Sequence, residues 1–131
     1  MTTNYHRTFI TVSPDSTAEA GRVPPREGSI AQLQYALLAA QPYQLTSDDL
    51  LFAVHARRRA IPESEWAEAR GAFFSKPQAC LRASPLVKQF GWGLHHDAAG
   101  RVALHGVETE RYRALSADPD ITCLRGMRSK R

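Results

Sequence analysis

Cysteine is scarce in this chain. Cys80 and Cys123 are the only two in 131 residues, and their unlike surroundings exclude both a disulfide scaffold and a four-cysteine zinc site. Long apolar runs are missing as well. The longest candidate, Tyr35 to Ala40, falls far short of the ~20 residues that span a bilayer, so no membrane partner is expected. Met1 to Arg7 lacks the basic start, apolar stretch and small-residue cleavage site of a secretion signal. A cytoplasmic location with reduced thiols is the expectation.

One-sided charge is nearly absent from the body. The formal net charge is +4, which Arg125, Arg128, Lys130 and Arg131 alone supply, leaving the rest close to neutral. A second cluster, Arg57-Arg58-Arg59, is followed by Glu63, Glu65 and Glu68, so the two signs offset each other. Such a distribution permits an anionic small molecule or a nucleic acid as partner without requiring one. Repeats and low-complexity segments are also lacking, and with 43% apolar and 23% charged residues the chain reads as one compact domain over residues 1–131 with a short basic end at 125–131.

What is present has clear local order. Thr8 to Val12 is β-rich and stops at Ser13-Pro14-Asp15, whereas residues 16–28, with two glycines and two prolines, hold no regular period. Ser29 caps a helix over residues 30–41, ended by Pro42. Thr46 or Ser47 with Asp48-Asp49 opens a second helix that closes on Arg57-Arg58-Arg59, although Leu50, Phe52, Val54 and Ala56 also alternate as in a strand. Pro62 starts a third, with Trp66, Ala69 and Phe73 as its apolar stripe, running to about Lys76. An exposed Trp66–Phe73 stripe would instead serve a homo-oligomer. Thr109 caps a short helix to Leu115, and Ile121 to Leu124 reads as a closing strand.

The sharpest signal is a hairpin over 91–96 and 101–107. Gly100 suits the left-handed position of a three-residue loop, which pairs Asp97 with Arg101. That register puts Trp92, Leu94 and His96 on one face with Val102, Leu104 and Gly106, and leaves Gly93, His95, Ala103 and His105 on the other. The first face is the expected core. Together these elements predict an α+β fold, an antiparallel sheet packed against three to four helices.

Cys80-Leu81-Arg82-Ala83-Ser84-Pro85-Leu86, then Lys88 and Gly91-Trp92-Gly93-Leu94-His95, resembles the C-L-R-x-S-P-L-x-K-x-x-G-W-G-x-H signature of a family of small bacterial proteins of unknown function. Asn4-Tyr5, Thr46 to Asp49 and Met127 to Arg131 extend the likeness over nearly the whole chain. The resemblance implies a family and no activity.

Three kinds of chemistry are open to these residues. Cys80 is a candidate nucleophile with His95 as base, which would make the protein a small enzyme. A phosphatase-type Cys-x5-Arg loop is excluded, because Leu86 stands where its arginine belongs. Arg82, Ser84, Lys88, Trp92, His95 and His105 are candidates for binding an anionic ligand through a bidentate fork, a point charge and a stacking face. Gly91 and Gly93 make no dinucleotide fingerprint, since His96 occupies the third glycine position. His95 and His105, diagonal neighbours with Cβ atoms about 7–8 Å apart, are too few for a metal; a third ligand would come from elsewhere, His55 or an acidic residue. The expectation is therefore no metal and no cofactor, in a binding or interaction module.

Overall fold

A computed structural model describes residues 2–129. Strands Thr8–Thr11 (β1), Trp92–His96 (β2), Val102–Gly106 (β3) and Thr122–Arg125 (β4) form one sheet in the order β3-β2-β1-β4. The helices are Ile30–Ala40 (α1), Ser47–Arg58 (α2), Trp66–Phe74 (α3), Pro85–Gln89 (α4) and Glu110–Ala117 (α5). The fold is α+β, with 3-10 turns at Glu63–Glu65 and Leu81–Ala83.

The hairpin forms in the expected register. Trp92 pairs with Gly106, Leu94 with Leu104 and His96 with Val102. At the turn the Asp97 carbonyl accepts from Gly100 N–H at 3.0 Å, and the Asp97 carboxylate accepts from the N–H groups of Ala99 and Arg101. Gly100 has φ +82°, the left-handed conformation that glycine adopts without steric cost.

Strand alternation then divides the apolar residues between two layers. Ile10, Leu94 and Val102, all 0% exposed, pack with Leu38, Leu50, Leu81 and Leu86 beneath α1, α2 and α4. Phe9 faces the other way and meets Tyr112 and Leu115 of α5. The sheet is thus covered on both faces.

It is mixed, where a purely antiparallel sheet is expected from the sequence. β2 is antiparallel to both β1 and β3, so β1 and β3 point the same way; β4 pairs with β1 in parallel. The cause lies in the connection. β3 and β4 occupy opposite edges, and the chain between them crosses one face through α5, the type of crossover that parallel strands need.

The stretch 48–59 settles as helix through Arg58, with Arg59 as its C-cap, because local capping outweighs the alternating pattern. Thr46 Oγ1 accepts from Asp49 N–H while the Asp49 carboxylate accepts from Thr46 N–H, both at 3.1 Å, a reciprocal box that satisfies two otherwise unpaired donors. Trp66 and Phe73 turn inward onto the ring of Phe52, at centroid distances of 5.4 and 5.9 Å. The helix α4 is an addition to the sequence reading: Ser84 Oγ accepts from Leu86 N–H and Pro85 takes the first helical position, where its missing N–H is no loss. Of the basic end, Lys130 and Arg131 lie outside the described residues.

Candidate functional site

Two places gather polar side chains. The first lies on the α5 face of the sheet. His95 and His105 project there from β2 and β3, and Tyr43 reaches them from the α1–α2 connection. Residues 43–45 run along the free edge of β3: Tyr43 N–H donates to the Val102 carbonyl at 3.0 Å and Val102 N–H to the Leu45 carbonyl at 2.8 Å. Tyr43 sits at φ +58°, a left-handed conformation uncommon for a bulky side chain. This turn carries the phenol over the edge, where its Oη stands 2.8 Å from His95 Nδ1 and 3.0 Å from His105 Nε2.

One hydroxyl carries one proton. It donates to only one of the two nitrogens, so the other imidazole must present its own N–H to the phenol oxygen. The two rings therefore hold opposite protonation at their Tyr43-facing atoms. Phe9 packs edge-on against both, each at 6.4 Å between centroids. Burial lowers the pKa of His95, as does the Arg111 guanidinium, against the opposing pull of Asp97 and Asp118. His105 is pushed down to about 4 by burial, then by His95 and Arg111. Burial raises the Tyr43 pKa, with Arg111 opposing it. At neutral pH the cluster is uncharged apart from Arg111.

The second place is a cavity of about 550 Å³ on the helical side, bounded by α1, α2, α3 and the segment before α4. Val54, Phe73 and Leu81 give it an apolar wall, while His55, Arg58 and Arg59 at the end of α2 supply basic groups. Cys80 lines it too. Tyr5 Oη donates to Cys80 Sγ at 3.1 Å, and burial, then this bond to Cys80, lift the Tyr5 pKa to about 12. His55 packs against Phe73 at 4.5 Å between centroids.

The sequence candidates divide between these places and others. His95 and His105 come together, with Tyr43 as their shared partner; His55, the third ligand considered for them, belongs to the cavity instead. Cys80 and Ser84 share the cavity wall, Ser84 Oγ donating to Gln34 Oε1 at 2.6 Å. Cys80 and His95 stand on opposite sides of the sheet: Tyr5, the partner of Cys80, packs its ring on His96, whereas His95 faces Phe9 and Tyr43. Direct proton transfer between them is not available in this geometry. Arg82 is engaged with the C-terminal strand, its Nε donating to the Arg125 carbonyl at 2.8 Å. Trp92 is tied to Arg22 through Nε1 at 2.8 Å and packs on Tyr35. Lys88 is half-buried on α4.

Tyr43, Arg111 and the cavity escape the sequence reading. The signal that points toward Tyr43 is indirect: two imidazoles on a covered sheet face need hydrogen-bond partners that the hairpin itself does not supply.

The molecule is thus a small α+β protein with a ligand-sized cavity on one side of its sheet and a Tyr-His-His cluster on the other. It belongs to the family of unknown function DUF6157, whose sequence model matches residues 1–131. No curated protein and no solved structure matches the chain. Among the described residues, no helix is long and apolar enough to cross a membrane.

Proposed function

We propose that the protein is a cytoplasmic binding module for a small amphipathic anion, an apolar body with a carboxylate or phosphate head. The observation that carries this reading is the composition of the cavity. Its volume, about 550 Å³, lies within the range of about 300–1,000 Å³ typical of small-molecule sites, which are mostly apolar with a few placed polar groups. Val54, Phe73 and Leu81 suit an apolar body, and Arg58 and Arg59 suit an oxyanion. Both cysteines are free thiols, in keeping with a reducing compartment.

Decanoate, decyl phosphate and decanol separate the two requirements. Both anions are expected to raise the melting temperature of the full chain, and decanol to do so much less. Replacing Arg58 and Arg59 together by alanine should weaken the anions by about tenfold or more, given the strength of charge-assisted hydrogen bonds, and leave decanol unchanged. Decanol binding as tightly as decanoate would overturn the anion assignment, and failure of all three would overturn the site.

A second reading rests on the shared position of Cys80 and His55 in the same cavity. In it the ligand is a substrate, Cys80 is the nucleophile and His55 takes the role of base. Its mark is alkylation of Cys80 by iodoacetamide at neutral pH faster than a model thiol, slowed in His55→Gln. A rate equal to the model thiol leaves the binding module alone.

A further inference from the structure

We infer that Tyr43, His95 and His105 form a binding site for a divalent transition-metal ion, on the opposite side of the sheet from the cavity. The ligand atoms are Tyr43 Oη, His95 Nδ1 and His105 Nε2. Histidine pairing on the hairpin supplies two ligands, and the left-handed turn at Tyr43 supplies the third that a metal needs.

The distances fit. A metal bound at about 2.0–2.1 Å with neighbouring ligands at right angles, as in a square-planar site, sets those ligand atoms about 2.9 Å apart. The phenol oxygen already lies 2.8 and 3.0 Å from the two nitrogens, so admitting an ion requires shifts of a few tenths of an ångström. Ring spacing agrees as well. Two imidazoles on one such ion place their centroids about 5–6.5 Å apart as the angle at the metal opens from tetrahedral to linear; His95 and His105, 6.2 Å apart, stand near the linear end, on opposite sides of an ion that Tyr43 Oη reaches from between them. The Tyr43 ring stands 5.6 and 6.3 Å from them, so the phenol is in reach of both imidazoles and somewhat nearer His95.

The scaffold holds these groups in place before any ion arrives. β2 and β3 fix the histidines in a paired register, Phe9 packs edge-on against both rings, and Tyr43 N–H is tied to the Val102 carbonyl. A non-glycine residue kept in the left-handed region is strained and persists where the surroundings enforce it. That conformation is what delivers the hydroxyl to the two imidazoles. Three protein ligands leave a coordination position for water or a substrate atom, the pattern of reactive rather than structural metal sites.

Proton balance on binding is simple. The Tyr43 O–H proton goes to solvent, and the phenolate oxygen takes one coordination position. The imidazole that had presented N–H to the phenol moves that proton to its far nitrogen and turns a lone pair to the metal. No oxidant or reductant is involved. Among the described residues no group of three or more His, Cys, Asp or Glu is arranged for a metal, so the tyrosine makes this site distinct from any formed by the usual ligand residues.

Arg111 gives the assignment a sign. Its guanidinium faces Tyr43, His95 and His105, within hydrogen-bonding reach of the Tyr43 hydroxyl, from an exposed position on α5. A cation at the cluster is repelled by it and an anion attracted, so Arg111→Ala tightens a metal and weakens an oxyanion.

Titration of the full chain without a histidine tag, using copper(II) and zinc(II) salts, tests the proposal by calorimetry and visible absorption. Copper is expected to bind more tightly than zinc, following the usual order for nitrogen and oxygen sites. One equivalent of copper should develop a phenolate-to-copper charge-transfer band. Tyr43→Phe, which removes one oxygen and keeps the ring, should abolish the band and weaken binding at least about tenfold; Arg111→Ala should strengthen it. Equal copper affinity in wild type and Tyr43→Phe, absence of the band, or weaker binding in Arg111→Ala would each overturn the site. The Tyr43→Phe comparison holds even if His95→Gln and His105→Gln fail to fold.

Discussion

Gly91→Ala is expected to destabilise the protein by about 3 kcal/mol, a fall of about 10 °C in melting temperature. Two separate costs meet at this residue. Gly91 follows α4 at φ +76°, the left-handed cap position where a Cβ costs roughly 1–2 kcal/mol. The same Cβ would stand 2.3 Å from the Ala20 carbonyl oxygen and 3.1 Å from the Ala18 Cβ. Ala20 cannot retreat freely, because Arg22 N–H is bonded to the Phe90 carbonyl and Arg22 also accepts from the Trp92 indole. Gly28 is the control, with φ +79° and nothing within 4 Å of an added Cβ. Gly28→Ala should show the strain alone, about 1 kcal/mol. Equal effects of the two substitutions in denaturant unfolding would remove the collision from the account.

The stretch around Gly91 also shows what the sequence makes legible. The hairpin register follows from turn chemistry at Asp97 and Gly100 together with period-two alternation, both local properties, and every one of its pairs is found. The helix Ser47–Arg58 is legible for the same reason, through the Thr46 and Asp49 cap. The direction of β4 is a non-local property. It depends on α5 carrying the chain back to the end of the sheet at which β3 begins, although a helix lying between two strands is itself a crossover signal.

The sites were harder to read because no single segment contains either of them. The His95–His105 face is fixed by the hairpin, yet its partner Tyr43 comes from a loop more than fifty positions upstream, and its left-handed backbone is enforced by pairing at the β3 edge. The cavity is assembled from α1, α2, α3 and the segment 78–85. Cys80 is recognisable as a reactive type of residue, but its neighbourhood is set by tertiary packing, which brings His55 to its cavity and sends His95 to the other face. Alternation explains the division: His95 and His96 are successive residues on β2, so one belongs to each layer.

That division leaves His96 in the core, and this residue alone is expected to cost the protein about 3 kcal/mol of stability between neutral pH and pH 4. His96 is 0% exposed, with Tyr5 edge-on at 5.4 Å. Its Nδ1 donates to the Leu94 carbonyl at 3.2 Å, and its Nε2 makes no well-formed hydrogen bond among the described residues, only a weaker approach to the Thr8 backbone. Burial, above all, lowers its pKa from 6.5 to about 4. The folded state then holds the ring neutral while the unfolded chain takes up a proton below pH 6.5. The unfolded state binds more protons in the window from 6.5 to 4, so stability falls as pH falls across it and levels off below. Leucine at this position removes both the titration and the poorly paired nitrogen, at a gain of about 1 kcal/mol at pH 7. His55, His95 and His105 are shifted in the same direction, so His96→Leu should flatten the slope without abolishing it. Urea unfolding of both proteins at half-unit intervals from pH 7 to 4 measures the difference, and superimposable pH profiles would show that His96 is not the titrating group.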